Sequence, residues 1–198
     1  MFNLFKKPPI HEPIGTQRAE AVSFLAEGPF KSILAEKYLN GLDCDQLPGG
    51  KGPFGTLDNP IPVNGSMGEI KYLAKLRGNT GKAIMFHRIG SMSSSVTEDP
   101  VDCYEVVCMD GTQWTRLYFD CYHPRRSNLA PPGYRLTPFD KRKGFDSFFG
   151  FGCSGRVADF PHGLPNAIIA EEGERCGLIL VKPIKKSLQK YRFRRPDF

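Results

Sequence analysis

Apolar residues recur at helical spacing in two stretches of the first half of the chain. Across residues 16–41 they fall three and four positions apart, which predicts a pair of helices separated by a break at Gly28. The second stretch opens with Ser66 and Glu69, the spacing of a capping box in which the serine side chain caps the first turn. Apolar side chains then follow at every third position as far as Leu76. The pattern predicts a further helix that begins at Ser66.

Short apolar runs of strand length dominate the rest of the chain. They cover residues 83–89, 102–109, 113–122, 167–170 and 178–181. Asp110-Gly111 lies between the second and third runs, and this dipeptide suits the positive φ that tight hairpin turns require. The second and third runs therefore predict a β-hairpin. The last two runs predict short strands joined by a turn at Gly173.

Glycine and proline separate these elements. Residues 43–65 and 124–165 are rich in both, which predicts long irregular loops. Helices that precede hairpin-linked strands indicate an α+β fold, with N-terminal helices packed on one face of a mainly antiparallel sheet of about five strands. We expect an extended N-terminal arm at residues 1–15, a single domain at residues 16–184 and a basic, aromatic C-terminal tail at residues 185–198.

Formal charge is concentrated at the C-terminal end. Residues 182–198 hold seven basic residues and one acidic residue, a net charge of +6 that equals the formal charge of the whole chain. Residues 1–181 are therefore neutral on balance, and the sequence does not predict a broad basic surface. Tyr191 and Phe193 alternate with arginines in the tail. That pattern is typical of single-stranded nucleic-acid binding, and also of an edge segment whose rings pack inward.

The composition is that of a globular protein that needs no covalent cross-link. With 198 residues and 40% hydrophobic content, the chain is long enough to bury a core. None of the six cysteines forms a C-x-x-C pair, so we expect neither a metal site nor a disulfide. Cys108 and Cys121 flank the predicted hairpin, where they would face each other as thiols. No apolar run reaches membrane-spanning length and no apolar segment follows Lys6 and Lys7, which predicts a cytoplasmic protein.

One glycine-rich segment matches a nucleotide-binding pattern. Residues 150–155 read G-x-G-x-x-G, a pattern that binds pyrophosphate where a strand precedes the glycines and a helix follows them. Pro161 and Pro165 come soon after the last glycine, so the sequence predicts no such helix. We interpret the segment as a glycine-rich turn packed by neighbouring phenylalanines.

The densest polar cluster lies where the second hairpin strand enters a loop. Arg125 and Arg126 are the predicted anion-binding residues, because adjacent guanidinium groups on a rigid strand end can bind phosphate or carboxylate. His123 lies beside them, and His87 lies in the preceding strand. If the two histidines meet, one of them could activate Cys121, so His87, His123 and Cys121 are the candidate catalytic residues. A solvated strand end with locally paired arginines is the alternative.

These features favour a cytoplasmic binding module with an unknown protein partner, of an accessory or immunity type in which binding itself blocks the partner. The alternative is a small hydrolase or transferase that acts on an anionic substrate at the histidine–arginine cluster. A small anionic ligand is the second expected partner, and nucleic acid is less favoured because the body of the chain is neutral. The sequence predicts no cofactor. An enzyme would bring His87 and His123 into one cleft, whereas a binding module would expose an apolar patch.

Overall fold

The computed structural model describes residues 45–138 and 149–198. Within these two ranges the chain forms seven strands and three helices, numbered here in chain order. The strands are β1 (Ile61–Pro62), β2 (Leu76–Gly78), β3 (Ile84–Met92), β4 (Val101–Cys108), β5 (Thr115–Asp120), β6 (Tyr134–Leu136) and β7 (Phe151–Cys153), and the helices are α1 (Gly65–Lys75), α2 (Leu164–Glu172) and α3 (Glu174–Lys190). The N-terminal arm and the helical pair predicted for residues 16–41 lie outside the described residues.

Five strands form one mixed sheet in the order β1-β5-β4-β3-β7. The three central strands pair antiparallel, which confirms the hairpin predicted around Asp110-Gly111. The two outer pairs, β1 with β5 and β3 with β7, are parallel. The α+β class and the number of strands are therefore confirmed, while the sheet is mixed rather than mainly antiparallel. β2 and β6 form a separate two-stranded sheet.

The described helices cover both faces of the sheet, so the expectation of helices on one face is wrong. On one face α1 buries Tyr72 and Leu73 against Phe86, Tyr104 and Phe119 of the central strands. On the other face α2 and α3 cover a second core. That core includes Met85, Val107, Ile168, Leu180 and Ile184. Side chains alternate between the faces of each strand, so neighbouring positions such as Met85 and Phe86 serve different cores.

The segments predicted as strands at residues 167–170 and 178–181 lie in α2 and α3, so that prediction is wrong. A short apolar run does not distinguish a buried helix from a strand. The buried residues Gly177, Leu180, Val181 and Ile184 follow helical spacing along α3. Pro165 lies in the first turn of α2, where its missing N–H costs no hydrogen bond. No described helix has both the length and the apolar character needed to cross a membrane.

Helix α1 occupies the predicted region but starts differently from the prediction. Its N-cap is Asn64, no side chain caps it, and Ser66 lies inside the first turn. Gly65 N–H instead donates to the carbonyl of Cys121, at 2.7 Å. This bond joins the start of α1 to the end of β5 and leaves no capping role for Ser66. Glu69 is fully buried and faces the sheet.

The register of the central hairpin separates two cysteines that we expected to face each other. Asp102 pairs with Phe119 and Val106 pairs with Thr115. Cys108 therefore lies at the turn end of the hairpin, and Cys121 lies at the opposite end. The five described cysteines are free thiols.

Candidate functional site

A row of polar residues crosses four strands on the face covered by α2 and α3. In the strand registers Cys153 of β7 lies opposite His87 of β3, His87 lies opposite Glu105 of β4, and Glu105 lies opposite Arg116 of β5. His87 and Glu105 are almost fully buried, with exposed side-chain fractions of 3% and 0%. A buried charge is costly unless it is paired, so the partners of Glu105 decide what this row does.

Glu105 is the centre of the row and binds three side chains. Trp114 Nε1 donates to Oε1 at 2.7 Å, and His87 Nε2 lies 3.3 Å from Oε2. Arg195, in the C-terminal tail, donates to both oxygens, with Nε to Oε1 at 2.8 Å and Nη2 to Oε2 at 2.6 Å. The tail is thereby held across the sheet by a bidentate charged pair. Phe193 packs against the second core beside it.

The contacts of His87 fix its tautomer. Its Nδ1 accepts the backbone N–H of Val157 at 3.0 Å, so the ring proton is on Nε2, which donates to Glu105. Burial lowers the pKa of His87 below its ordinary value, against the opposing effect of Glu105. A protonated ring would carry a hydrogen on Nδ1, so that two N–H donors, those of His87 and Val157, would face each other. His87 is therefore neutral and holds the loop after β7 against the sheet.

Acid is expected to destabilise the fold through His87. Because the pKa is lowered on folding, the unfolded chain binds an extra proton below pH 6.5, the ordinary value for histidine. The contribution of His87 to the free energy of unfolding is fully present above that pH. It falls as the pH drops below it, by up to about 1.4 kcal/mol per pH unit. Urea unfolding of the wild type and of His87→Gln from pH 7.5 to 5 measures this. The difference between the two proteins should change with pH, and a constant difference would refute the assignment.

His87 lies in β3 and His123 follows β5, and the two histidines contact different partners. β3 and β5 are two strand spacings apart, and Asp120 lies four residues along β5 from the position opposite Glu105. At about 4.8 Å per strand and 3.3 Å per residue, Asp120 at the end of β5 is roughly 16 Å from His87, and His123 follows beyond that strand end. His123 is itself buried, and its Nδ1 lies 2.8 Å from the carbonyl oxygen of Arg125.

The two predicted anion-binding arginines have different surroundings. Arg125 is 7% exposed and donates to Asp45 Oδ1 at 2.8 Å, so it anchors the segment around Asp45 to the strand end. Arg126 is half-buried, and burial lowers its pKa. Burial, followed by repulsion from Arg126, also lowers the pKa of Lys75. Anion binding by Arg126 stays a prediction, with Lys75 of α1 as a neighbouring cation that the sequence did not reveal.

The candidate nucleophile is held as a thiol. Burial, together with the charges of Glu69 and Asp102, raises the pKa of Cys121 to about 12. Burial and the charge of Glu171 likewise raise the pKa of Cys153, which lies opposite His87, to about 12. A cysteine nucleophile reacts as the thiolate, and such sites lower the pKa of the thiol. Neither cysteine shows that signature.

The glycine-rich segment at residues 150–155 does not have the geometry of a nucleotide site. β7 occupies Phe151–Cys153, inside the glycine pattern rather than before it, and α2 begins only at Leu164. The pyrophosphate mechanism needs a helix that opens directly after the glycines.

The outward side of α3 is the most prominent exposed feature among the described residues. Leu178 and Ile179 are 51% and 57% exposed. Exposed cations surround them on the same side of the helix, at Arg175, Lys182, Lys185, Lys186 and Lys190. We call these seven residues the α3 face. At 100° per residue they fall within an arc that excludes the buried Gly177, Leu180, Val181 and Ile184.

Comparison of the chain with protein-family models, with curated proteins and with solved structures found no match.

Proposed function

We propose that this chain is a binding module that engages an acidic protein surface through the α3 face. The observation that carries the proposal is the exposed pair Leu178 and Ile179, surrounded by four lysines and one arginine. An apolar centre with a charged rim is the usual anatomy of a protein–protein interface. The positive rim selects an acidic partner and speeds its association. Such a module fits an accessory or immunity-type role, in which occupying a surface blocks the partner.

A protein partner is favoured over single-stranded nucleic acid by the surroundings of the tail aromatics. Phe193 packs against the second core, and the ring of Phe198 lies 4.4 Å below the guanidinium of Arg116. Lys190 lies over the ring of Tyr191, at 5.0 Å. Single-strand binding depends on aromatic faces that are open to stack on bases. Here each of the three rings already has a partner within the chain.

The alternative, a small enzyme at the histidine–arginine cluster, has less support. His87 lies roughly 16 Å from Asp120, the end of the strand that leads to His123. Arg125 is bound to Asp45, and the Cys121 thiol has a raised pKa. An active site would bring such groups together and adjust their pKa values towards neutrality.

Photo-cross-linking from the α3 face tests the proposal. A benzoylphenylalanine at Ile179 should capture one protein from an extract of the source organism, and the same probe at Lys82, an exposed residue outside α3, should not. The captured protein is then purified and its Kd for this chain is measured. The double charge reversal Lys182→Glu with Lys186→Glu should weaken binding about tenfold or more.

A matched reversal on another surface provides the control. Lys51→Glu with Lys82→Glu makes the same change in net charge at two exposed lysines outside α3, and should leave the Kd unchanged. Equal weakening by the two reversals would mean that only overall charge matters, and would overturn the proposal. So would capture of RNA or lipid alone, capture from both positions, or no capture from Ile179.

A further inference from the structure

Three side chains that can bind metal meet at one end of the central strands, on the face covered by α1. Glu69 lies in α1, Asp102 lies near the start of β4, and Cys121 directly follows β5. One ligand atom from each lies within 4.8 Å of the other two. We call these three residues the Glu69 cluster. Glu69 is fully buried, whereas Asp102 and Cys121 are half-buried, so the cluster opens to one side.

The fold assembles the cluster from residues that are far apart in sequence. Asp102 pairs with Phe119, two residues before Cys121, so both side chains emerge on the same face of the sheet. The hydrogen bond from Gly65 N–H to the Cys121 carbonyl fixes the start of α1 at this point. Glu69 follows one helical turn later and faces inward over the strand ends.

Neighbouring donors already orient both carboxylates. Tyr104 donates its hydroxyl to Glu69 Oε2 at 2.9 Å. Arg88 donates to both oxygens of Asp102, at 2.8 and 2.7 Å, and Ser91 donates to Oδ1 at 2.7 Å. A register shift between Arg88 and Gly90 brings Arg88 and Ser91 to the same carboxylate. Carboxylate ligands of metal ions are typically held in this way by outer hydrogen bonds.

One atom of the cluster is left unsatisfied. Glu69 Oε1 is buried and no donor binds it, although the Glu69 carboxyl group lies within hydrogen-bonding reach of the Asp102 carboxyl group. Leaving a buried acceptor unpaired costs about 1 to 3 kcal/mol, so such atoms are rare unless a ligand or ion completes them. Asp102 Oδ2 accepts one described hydrogen bond and so retains a lone pair. Both atoms belong to the two carboxylates that lie beside the Cys121 sulfur.

We propose that Glu69, Asp102 and Cys121 bind one divalent transition-metal ion of the zinc class. A thiol beside two carboxylates suits zinc, whereas calcium and magnesium take oxygen ligands. Ligand atoms around tetrahedral zinc are about 3.3 to 3.8 Å apart, so small side-chain rotations would close the set. Three protein ligands leave a fourth position for water or for a group supplied from outside. The proposal is independent of binding at the α3 face.

The competing arrangement is a single proton between the two carboxyl groups. Burial, reinforced by the charge of Asp102, raises the pKa of Glu69 to about 8. A protonated Glu69 could then donate to Asp102 with no metal bound. The two arrangements differ in the role of Cys121, which is a ligand in the first and a bystander in the second.

Equilibrium dialysis of the chelator-treated full chain against Zn²⁺ tests the proposal, with bound metal measured by mass spectrometry. The wild type should bind one equivalent. Glu69→Gln and Cys121→Ser should each lose that equivalent, and Cys176→Ser, in α3, should retain it. Tyr104→Phe removes only the outer hydrogen bond and should weaken affinity by about 10-fold to 100-fold.

Co²⁺ binding to the wild type provides a measurement that needs no folded variant. A cobalt ion bound at the Glu69 cluster should show the near-ultraviolet absorption of a thiolate–metal bond. Absence of that absorption, or no stoichiometric zinc, would overturn the proposal in favour of the shared proton. Zinc binding that Cys121→Ser leaves intact would also overturn it.

Discussion

Glu105→Ala is expected to lower the free energy of unfolding by about 2 to 5 kcal/mol. The substitution leaves the buried donor His87 Nε2 without its acceptor, at about 1 to 3 kcal/mol, and removes the acceptor of the half-buried Trp114 Nε1. It also releases Arg195 and with it the contact that holds the tail to the sheet. Urea denaturation at pH 7 followed by tryptophan fluorescence measures the loss, because Trp114 is the one tryptophan of the chain.

Three related variants separate the causes of that loss. Glu105→Gln keeps an acceptor oxygen and the side-chain volume, so it should cost less than the alanine variant. Arg195→Ala should also destabilise, because it leaves a fully buried carboxylate without its counter-charge. Arg194→Ala, at an exposed neighbour, should change stability by less than about 0.5 kcal/mol. Equal effects of Arg194→Ala and Arg195→Ala would contradict the role given to Glu105.

Gly152→Ala is the second substitution expected to have a large effect, with a loss of about 3 kcal/mol or more. Gly152 of β7 pairs with Phe86 of β3, and a Cβ at this position would lie 2.3 to 2.4 Å from three atoms of the Phe86 ring. That ring is fully buried, so it cannot move aside without opening the core beneath α1.

Gly155→Ala is the matched control within the same glycine-rich segment. A Cβ at Gly155 would meet no atom within 4 Å. The two glycines serve the same pattern in sequence, yet only Gly152 is required by packing. Thermal or urea unfolding should show a loss for Gly152→Ala and a change below about 0.5 kcal/mol for Gly155→Ala. Comparable losses at both positions would contradict the packing argument.

The elements that sequence predicts well here are those whose signals are local. The Asp110-Gly111 turn, with Gly111 at a φ of +80°, marks the hairpin directly. The apolar spacing from Met67 onwards marks α1. The start of that helix could not be predicted, because its first N–H is bound by a carbonyl 56 positions away in the chain, at Cys121.

Both α2 and α3 contain a proline, and neither helix was predicted from the sequence. Pro165 was interpreted as evidence against a helix, and it lies in the first turn of α2; Pro183 lies inside α3. Proline in a first turn is tolerated, whereas Pro183 remains in a helix because the buried side chains on either side hold it. The helical spacing of Leu180, Val181 and Ile184 was present in the sequence. Over a longer stretch of sequence, this helical spacing favours a helix over two four-residue strands.

The sites were hard to predict for a different physical reason. Glu105 and Arg195 meet across 90 residues, and the Glu69 cluster draws on three separate elements. Spacing rules detect ligands that one local turn brings together. They do not detect sites whose residues are far apart in the sequence. The one local signal was a glutamate between Tyr104 and Val106 in an apolar strand, since a charge at a core position requires a partner.

The pairing of Glu105 with Arg195 also bears on how the chain is made. A ribosome adds about 5 to 20 residues per second, so several seconds separate the carboxylate from the guanidinium that follows it by 90 residues. During that interval the β3–β4–β5 meander can form from local contacts, but one of its faces lacks α2, α3 and the tail. Met85 and Val107 on that face would remain open to solvent. A nascent chain at this stage presents an apolar sheet with an acidic centre, the kind of surface that chaperones bind until synthesis supplies its cover.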